Sequence, residues 1–117
     1  MIKLLNNQEK PDWFTYPSQF LRIVEQSLLY FDPWRILEGD ELQKRFQGLK
    51  ERYPTRDLTP FAKRDDSDDL ACWDKEMPNK VVIVHDYAPS GSEQGKVLGD
   101  FWAWLRMALE DTISFEP

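Results

Sequence analysis

Cysteine and histidine are almost absent from this chain. Its 117 residues include one cysteine, Cys72, and one histidine, His85. A single thiol excludes a disulfide within the chain and is typical of proteins in a reducing compartment. A single histidine leaves one candidate for the commonest catalytic base.

Long apolar segments are also missing. No run of apolar residues approaches the ~20 that a membrane-spanning helix needs. The start of the chain, MIKLLNNQEKPDW, has only a brief apolar patch before Asn6 and Asn7, which does not resemble a signal peptide. We therefore expect a cytoplasmic protein.

Basic residues are in the minority. Fifteen lysines and arginines face 21 aspartates and glutamates, which gives a formal net charge of −6. An acidic surface repels nucleic acids and anionic lipids, so neither is an expected partner, whereas a basic protein is attracted. The length fits one domain, residues 1–117, with a core large enough to need no disulfide or metal.

Three segments have the apolar period of a helix. The spacing predicts a helix over 17–29, a second that Gly39 and Asp40 open, and a third that starts near Asp100. Asp40 and Gln43 match a capping box at the start of the second helix, and Pro54 marks its end. The third has apolar residues at i, i+3, i+4, i+7 and i+8: Phe101, Trp104, Leu105, Ala108 and Leu109.

Two segments read clearly as strands. Lys80–His85 is apolar at four consecutive positions, which indicates a central strand, and Leu70–Asp74 precedes it across a turn at 77–79. Leu58–Ala62 contains Pro60 and is predicted to be an edge strand at best. Residues 88–95, with two glycines, read as a loop. The order of elements predicts an α+β domain, with about three helices packed on a mostly antiparallel sheet.

Four aspartates lie within five positions: Asp65, Asp66, Asp68 and Asp69. Like charges this close repel, by roughly 1 kcal/mol per pair in water. Lys63, Arg64 and Lys75 can offset part of that repulsion. Because aspartate side chains hydrogen-bond the nearby backbone, one interpretation is a solvated turn that leads into the strand at Leu70. The other is a docking surface for a basic partner.

Metal and phosphate sites fit the spacing poorly. In a calcium loop that starts at Asp65, the donors would be Ser67, Asp69 and Glu76, but Leu70 stands where a glycine must make the sharp turn. GSEQGK, residues 91–96, lacks one residue between its glycines and has Val97 in place of the Ser or Thr of a phosphate loop. We predict no metal and no cofactor.

A nucleophilic site has few possible members. Cys72 could face His85 across neighbouring strands, with His85 as its base. Asp86 cannot readily orient His85, because consecutive strand residues point to opposite faces. We expect Cys72 to be a small core residue.

The blocks TPFAKRDDSDDLACWD, VVIVHDYA and FWAWLRMALED resemble the SUKH superfamily, the Smi/Knr cell-wall-assembly-regulator-like proteins. WFTYPSQFLRIVEQSL and LKERYPTRDLTPFA support the resemblance, which runs from Trp13 to Asp111. It implies a twisted sheet flanked by helices and no enzymatic activity. The family commonly has Gly-Asp before the strand that matches Leu70 to Trp73, whereas this chain has Asp68-Asp69.

The resemblance implies a protein-binding role. Many bacterial members are immunity proteins that bind and block a toxin domain, often a nuclease or deaminase. Others are regulatory or scaffold interaction modules without a toxin partner, and that alternative remains open. A nuclease that grips phosphates has a basic groove, so the aspartates are the predicted contact. Trp102, which lies off the apolar stripe of the last helix, is a candidate aromatic anchor. Partial burial against the preceding loop is the alternative role for Trp102.

Overall fold

The computed structural model describes residues 2–115. Its centre is a six-stranded antiparallel sheet in which the strands follow one another in chain order. The strands are β1 (Tyr30–Phe31), β2 (Trp34–Ile36), β3 (Leu58–Arg64), β4 (Asp69–Asp74), β5 (Val81–His85) and β6 (Gln94–Leu98), and the helices are α1 (Ser18–Glu25), α2 (Gly39–Arg52) and α3 (Phe101–Ser114). The predicted α+β class is confirmed.

The helices cover both faces of the sheet. On one face an aromatic cluster joins α1 and α3 to the strands: the rings of Phe61 and Trp73 lie 4.3 Å apart, and Trp104 approaches Phe61 at 4.8 Å. On the other face lies α2, whose Glu41 binds Arg35 of β2. Because side chains alternate along a strand, Arg35 points away from the face that its neighbour Trp34 shares with Trp104.

The two strongest strand patterns are confirmed. Val81, Val82, Ile83 and Val84 are all buried in β5, which has a neighbouring strand on each side. The segment around Met77 joins β4 to β5 as the predicted hairpin connection. Both predictions rest on short contiguous segments of sequence. A strand that is covered on two faces is apolar at every position.

The prediction for Leu58–Ala62 is wrong. β3 runs to Arg64 and lies inside the sheet, hydrogen-bonded to β2 and β4. Pro60 is tolerated there because the register with β4 shifts between Pro60 and Ala62, and a proline fits a bulge where a ladder hydrogen bond is already missing.

The predicted loop 88–95 extends too far at its C-terminal end. β6 begins at Gln94, so Gly95 belongs to a strand and not to a phosphate loop, and GSEQGK leads into that strand, not directly into a helix. The hairpin of β1 and β2 was also missed. These strands have only two and three residues, too few to show a period, and their pairing with neighbouring strands supplies the order that their sequences do not indicate.

The structure differs from the helix predictions at three points: one boundary, one cap and one buried position. α1 ends at Glu25 and not near Leu29, because the chain turns back at Ser27, whose φ is 59°. α2 begins at Gly39 as predicted, but Glu38 stands at its N-cap, so Asp40 lies inside the first turn and does not cap it, although a negative charge there still suits the helix dipole. On α3, Leu109 is exposed instead of buried.

The predicted stripe on α2 and the predicted start of α3 are confirmed. Leu42, Phe46, Leu49 and Tyr53 are all buried, as the stripe on α2 required. Asp100 caps α3 through a hydrogen bond of 2.8 Å from the backbone N–H of Ala103 to its carboxylate. No helix among residues 2–115 is both long and apolar enough to cross a membrane.

Candidate functional site: the acidic end of the sheet

Three chain connections meet at one end of the sheet, because consecutive antiparallel strands reverse there. The backbone N–H of Asp65, in the β3–β4 turn, donates to the carbonyl of Pro33 in the β1–β2 turn at 2.8 Å. The N–H of Asp86, after β5, donates to the carbonyl of Asp68 at 3.3 Å. We call this surface the acidic end. Its exposed carboxylates are Asp32, Asp65, Asp66 and Asp68.

The aspartate run forms the turn that the sequence predicted. Asp69 alone of its members is half-buried, as the first residue of β4. None of residues 65–69 has a positive φ, so the turn forms without the glycine that the family resemblance led us to look for. The side chain of Ser67 accepts a hydrogen bond from the Asp69 N–H at 3.2 Å, which closes the turn.

Two arginines hold the outer carboxylates. Arg35 donates through Nε to Asp65 at 2.6 Å. Arg64 binds Asp66 with two parallel hydrogen bonds of 2.8 and 2.9 Å. The hydrogen bond from Arg64 lowers the pKa of Asp66 below its usual value. Hydrogen bonds from Arg35 and Arg64 therefore orient the carboxylates of Asp65 and Asp66.

Both arginines also serve a second carboxylate. Arg35 binds Glu41 of α2 with its other nitrogens, and this lowers the pKa of Glu41. Arg64 contacts Asp111 of α3 at 3.1 Å. Because one guanidinium faces two carboxylates in each case, pairing leaves the acidic end with residual negative charge.

Lys63 offsets the aspartate charge through space, since its charge contributes to the lowered pKa of Asp66, and it forms no ion pair with the run. The Nζ of Lys63 lies under the turn and donates to the carbonyls of Arg64 and Ser67 at 2.6 and 2.8 Å. It fixes the backbone and contacts none of the aspartate side chains. Lys75 follows β4 and so lies at the opposite end of that strand.

His85 has a carboxylate partner that the sequence did not identify. Its Nδ1 lies 2.7 Å from Asp69 Oδ1, directly across from it in the β4–β5 register. Gly95 on β6 leaves room for the imidazole, since a Cβ there would lie 3.0 Å from His85 Nε2. A cleft of about 420 Å³ opens between this pair and α3, whose Asp111 also accepts a hydrogen bond of 2.9 Å from the indole of Trp34.

The proposed meeting of Cys72 and His85 is wrong. Cys72 pairs with Val82, and its side chain is fully buried on the opposite face from His85. Burial raises the pKa of the Cys72 thiol well above its ordinary value, which suppresses the reactive thiolate. The prediction that Cys72 is a core residue is confirmed.

Asp86 points to the other face, as expected, and anchors the loop beneath the acidic end. Its fully buried carboxylate accepts two hydrogen bonds from Arg52, of 2.6 and 2.7 Å. The Arg52 guanidinium lies over Gly48, where a side chain would collide with it. Tyr87 covers Arg52 from outside at 4.0 Å from its ring centre.

Trp102 does not lie beside the aspartates. It stands near the start of α3, nine positions before Asp111, which is about 13 Å along a helix axis. Its ring is half-buried and lies 5.6 Å from that of Phe101. Trp102 is therefore partly buried, and it packs against the hydrophobic core.

The candidate calcium loop is not brought together. Leu70 is fully buried within β4, and Glu76 follows the far end of that strand, about 20 Å from the turn at 3.3 Å per residue. Asp69 is engaged with His85. The residues at these offsets therefore do not surround one point.

Comparison with protein-family models, with curated proteins and with solved structures gives no significant match. The SUKH resemblance therefore remains a prediction from the sequence.

Proposed function

We propose that this protein is a non-enzymatic, protein-binding module of the immunity type. It neutralises a cognate toxin of the nuclease or deaminase class by stoichiometric binding, and the acidic end is the surface that contacts it. The SUKH resemblance suggests the class of partner, and the geometry of the acidic end suggests how the contact is made.

The main support for the proposal is that Arg35 and Arg64 each bind two carboxylates. Each is divided between two carboxylates, so the exposed aspartates keep residual negative charge while they are held in place. A surface that is both charged and ordered loses little conformational entropy on binding. Charge complementarity with a basic groove accelerates encounter and selects the partner.

The ion pairs also limit how strongly the acidic end attracts a basic partner. Arg64 and Arg35 already satisfy some of the carboxylate oxygens, and an incoming lysine or arginine must compete with them or use the free lone pairs. Asp68 and Asp32 have no ion-pair partner among residues 2–115, so their carboxylates are the most available, and of the two only Asp68 belongs to the aspartate run. We expect Asp68 to make the strongest single contact.

Charge reversal tests this surface. The triple variant Asp65→Lys, Asp66→Lys and Asp68→Lys is compared with Asp12→Lys, Glu25→Lys and Glu51→Lys, which changes the net charge equally at exposed carboxylates elsewhere. Each variant is coexpressed with the product of the adjacent gene. Binding is measured by copurification, and activity by survival of cells that produce the toxin.

We expect the first variant to lose binding and protection and the second to keep both. Equal behaviour of the two variants would show that the turn is structural only. If the unmodified protein neither captures nor neutralises the neighbouring gene product, the immunity function itself is wrong.

A further inference from the structure

A second surface lies at the other end of β4, away from the aspartates. A cavity of about 270 Å³ opens between residues 13–17, before α1, and the connection from β4 to β5. Its floor is made by the buried rings of Phe14 and Trp73, whose centres lie 5.0 Å apart. Trp13 and Met77, both half-buried, form its sides. We call this cavity the aromatic groove.

Local hydrogen bonds hold both sides of the groove open. Phe14 N–H donates to the Pro11 carbonyl at 3.0 Å, and the ring of Trp13 packs edge-on against that of Phe14. On the other side, formed by the connection from β4 to β5, the N–H of Met77 donates to the Asp74 carbonyl at 3.0 Å. Asn79 has a positive φ of 66°, which turns the chain. The groove is therefore formed before any ligand arrives.

The exposed charges that line the groove are positive. Lys75 and Lys80 line it, are exposed, and have no ion-pair partner among residues 2–115. Asp74 also lines it but is buried and bound to Arg56 at 2.8 Å. In a chain with a net charge of −6, this is a local reversal of sign.

The volume and lining limit what can bind. Ligand sites for drug-sized molecules and cofactors hold about 300–1,000 Å³. A smaller groove with an aromatic floor suits one aromatic side chain, which gains edge-to-face contacts with the rings and a sulfur contact with Met77. Unpaired lysines at the border then favour carboxylates beside that side chain.

We propose that the aromatic groove docks an acidic segment of a partner protein that carries one aromatic anchor. The anchor enters between Trp13 and Met77, and flanking carboxylates meet Lys75 and Lys80. Because the groove lies at the far end of the strand from Asp69, a partner can occupy it while the acidic end is also occupied. The inference does not depend on the function proposed for that end.

Three short peptides with blocked ends test the inference. Their sequences are EEFEE, EEAEE without the anchor, and KKFKK with the charges reversed. Binding is followed by calorimetry and by the fluorescence of the protein's tryptophans, since none of the peptides contains tryptophan. We expect EEFEE to bind at least tenfold more tightly than the other two. Equal binding of EEFEE and EEAEE, or tighter binding of KKFKK, would overturn the proposal.

Two double variants locate the binding. Lys75→Glu with Lys80→Glu is expected to weaken EEFEE at least tenfold. The control variant, Lys3→Glu with Lys44→Glu, changes the net charge equally at exposed lysines elsewhere. We expect it to leave the binding of EEFEE unchanged. Equal effects of the two double variants would contradict the site.

Self-association is a distinct outcome. If gel filtration shows a dimer that Met77→Asp dissociates, a second copy of the chain fills the groove and the proposal is wrong. The triple lysine variant of the acidic end provides the last control. We expect it to bind EEFEE at least as tightly as the unmodified protein does, whatever becomes of its toxin binding.

Discussion

The acidic end and the aromatic groove lie at opposite ends of the same strand and are built in different ways. At the acidic end, exposed carboxylates are held by arginines and by a lysine under the turn. At the groove, the floor residues Phe14 and Trp73 belong to the hydrophobic core. Exposed ion pairs contribute little to stability, whereas core aromatics contribute several kcal/mol. The acidic end can therefore change its charges with little cost to the fold, and the groove floor cannot.

The largest expected effect comes from the groove floor. Trp73→Ala should lower the free energy of unfolding by about 3–5 kcal/mol, because Trp73 packs against Phe61, Phe20 and Phe14 and its loss leaves a cavity. Urea denaturation followed by circular dichroism measures the change. Trp102→Ala is the matched control, and its half-buried ring should cost clearly less. Equal losses would contradict the assignment of Trp73 to the core.

Next in size is the buried anchor beneath the acidic end. Asp86→Ala should lower the free energy of unfolding by about 3 kcal/mol, since Arg52 loses both hydrogen bonds and remains partly buried. Asp68→Ala, an exposed change in the adjacent turn, should stay within about 0.5 kcal/mol. Thermal unfolding of the two variants side by side separates the buried carboxylate from the exposed one. Similar melting temperatures would refute that distinction.

A smaller effect is expected where β6 approaches β5. Gly95→Ala should cost about 1–3 kcal/mol, because a Cβ would lie 2.9 Å from the Ile83 carbonyl and close to the His85 ring. Gly99→Ala is the control, as no atom lies within 4 Å of the added methyl group. Urea denaturation measures both. A loss at Gly99 that matches the loss at Gly95 would show that backbone freedom, and not the contact, matters.

The smallest effect is the response of the acidic end to pH. The pKa values of Asp66 and Glu41 are lowered in the folded protein, mainly by hydrogen bonds from Arg64 and Arg35. Their stabilisation is complete above the ordinary values of 3.8 and 4.5 and disappears as the pH falls through the lower folded values. Because these carboxylates are exposed, we expect less than about 1 kcal/mol from each pair.

Denaturation at pH 7 and at pH 3 tests that expectation. Arg64→Gln should be less stable than the unmodified protein at pH 7, and the difference should be smaller at pH 3, below the ordinary pKa of 3.8. A difference that persists unchanged at pH 3 would show that Arg64 acts through packing on Trp34 and not through its carboxylates.

The sequence predicted the elements whose signals are local. The stripe on α2 and the apolar run of β5 each follow from one continuous segment, and so does the aspartate turn. The strands that were not predicted, or were predicted only at the edge of the sheet, depend on pairing with neighbouring strands. β6 is a polar stretch with a glycine that becomes a strand because β5 offers an unpaired edge, and β3 keeps Pro60 because a bulge forms opposite it.

The candidate site divides in the same way. Asp65, Asp66 and Asp68 could be found from the sequence, because their clustering is contiguous. Arg35 and Asp111 could not, since they lie 30 and 47 positions from their respective partners, Asp65 and Arg64. The pairing of His85 with Asp69 depends on the register of β4 against β5, which cannot be predicted from a single sequence.

By itself the sequence determined the class of fold, the acidic turn and the burial of Cys72, since periodicity and residue chemistry act over short distances along the chain. The tertiary structure alone decided which arginines restrain the aspartates, which carboxylate faces His85, and where an aromatic groove with basic borders opens. These features join residues that are distant in sequence, and only the packing of helices against both faces of the sheet brings their side chains within reach.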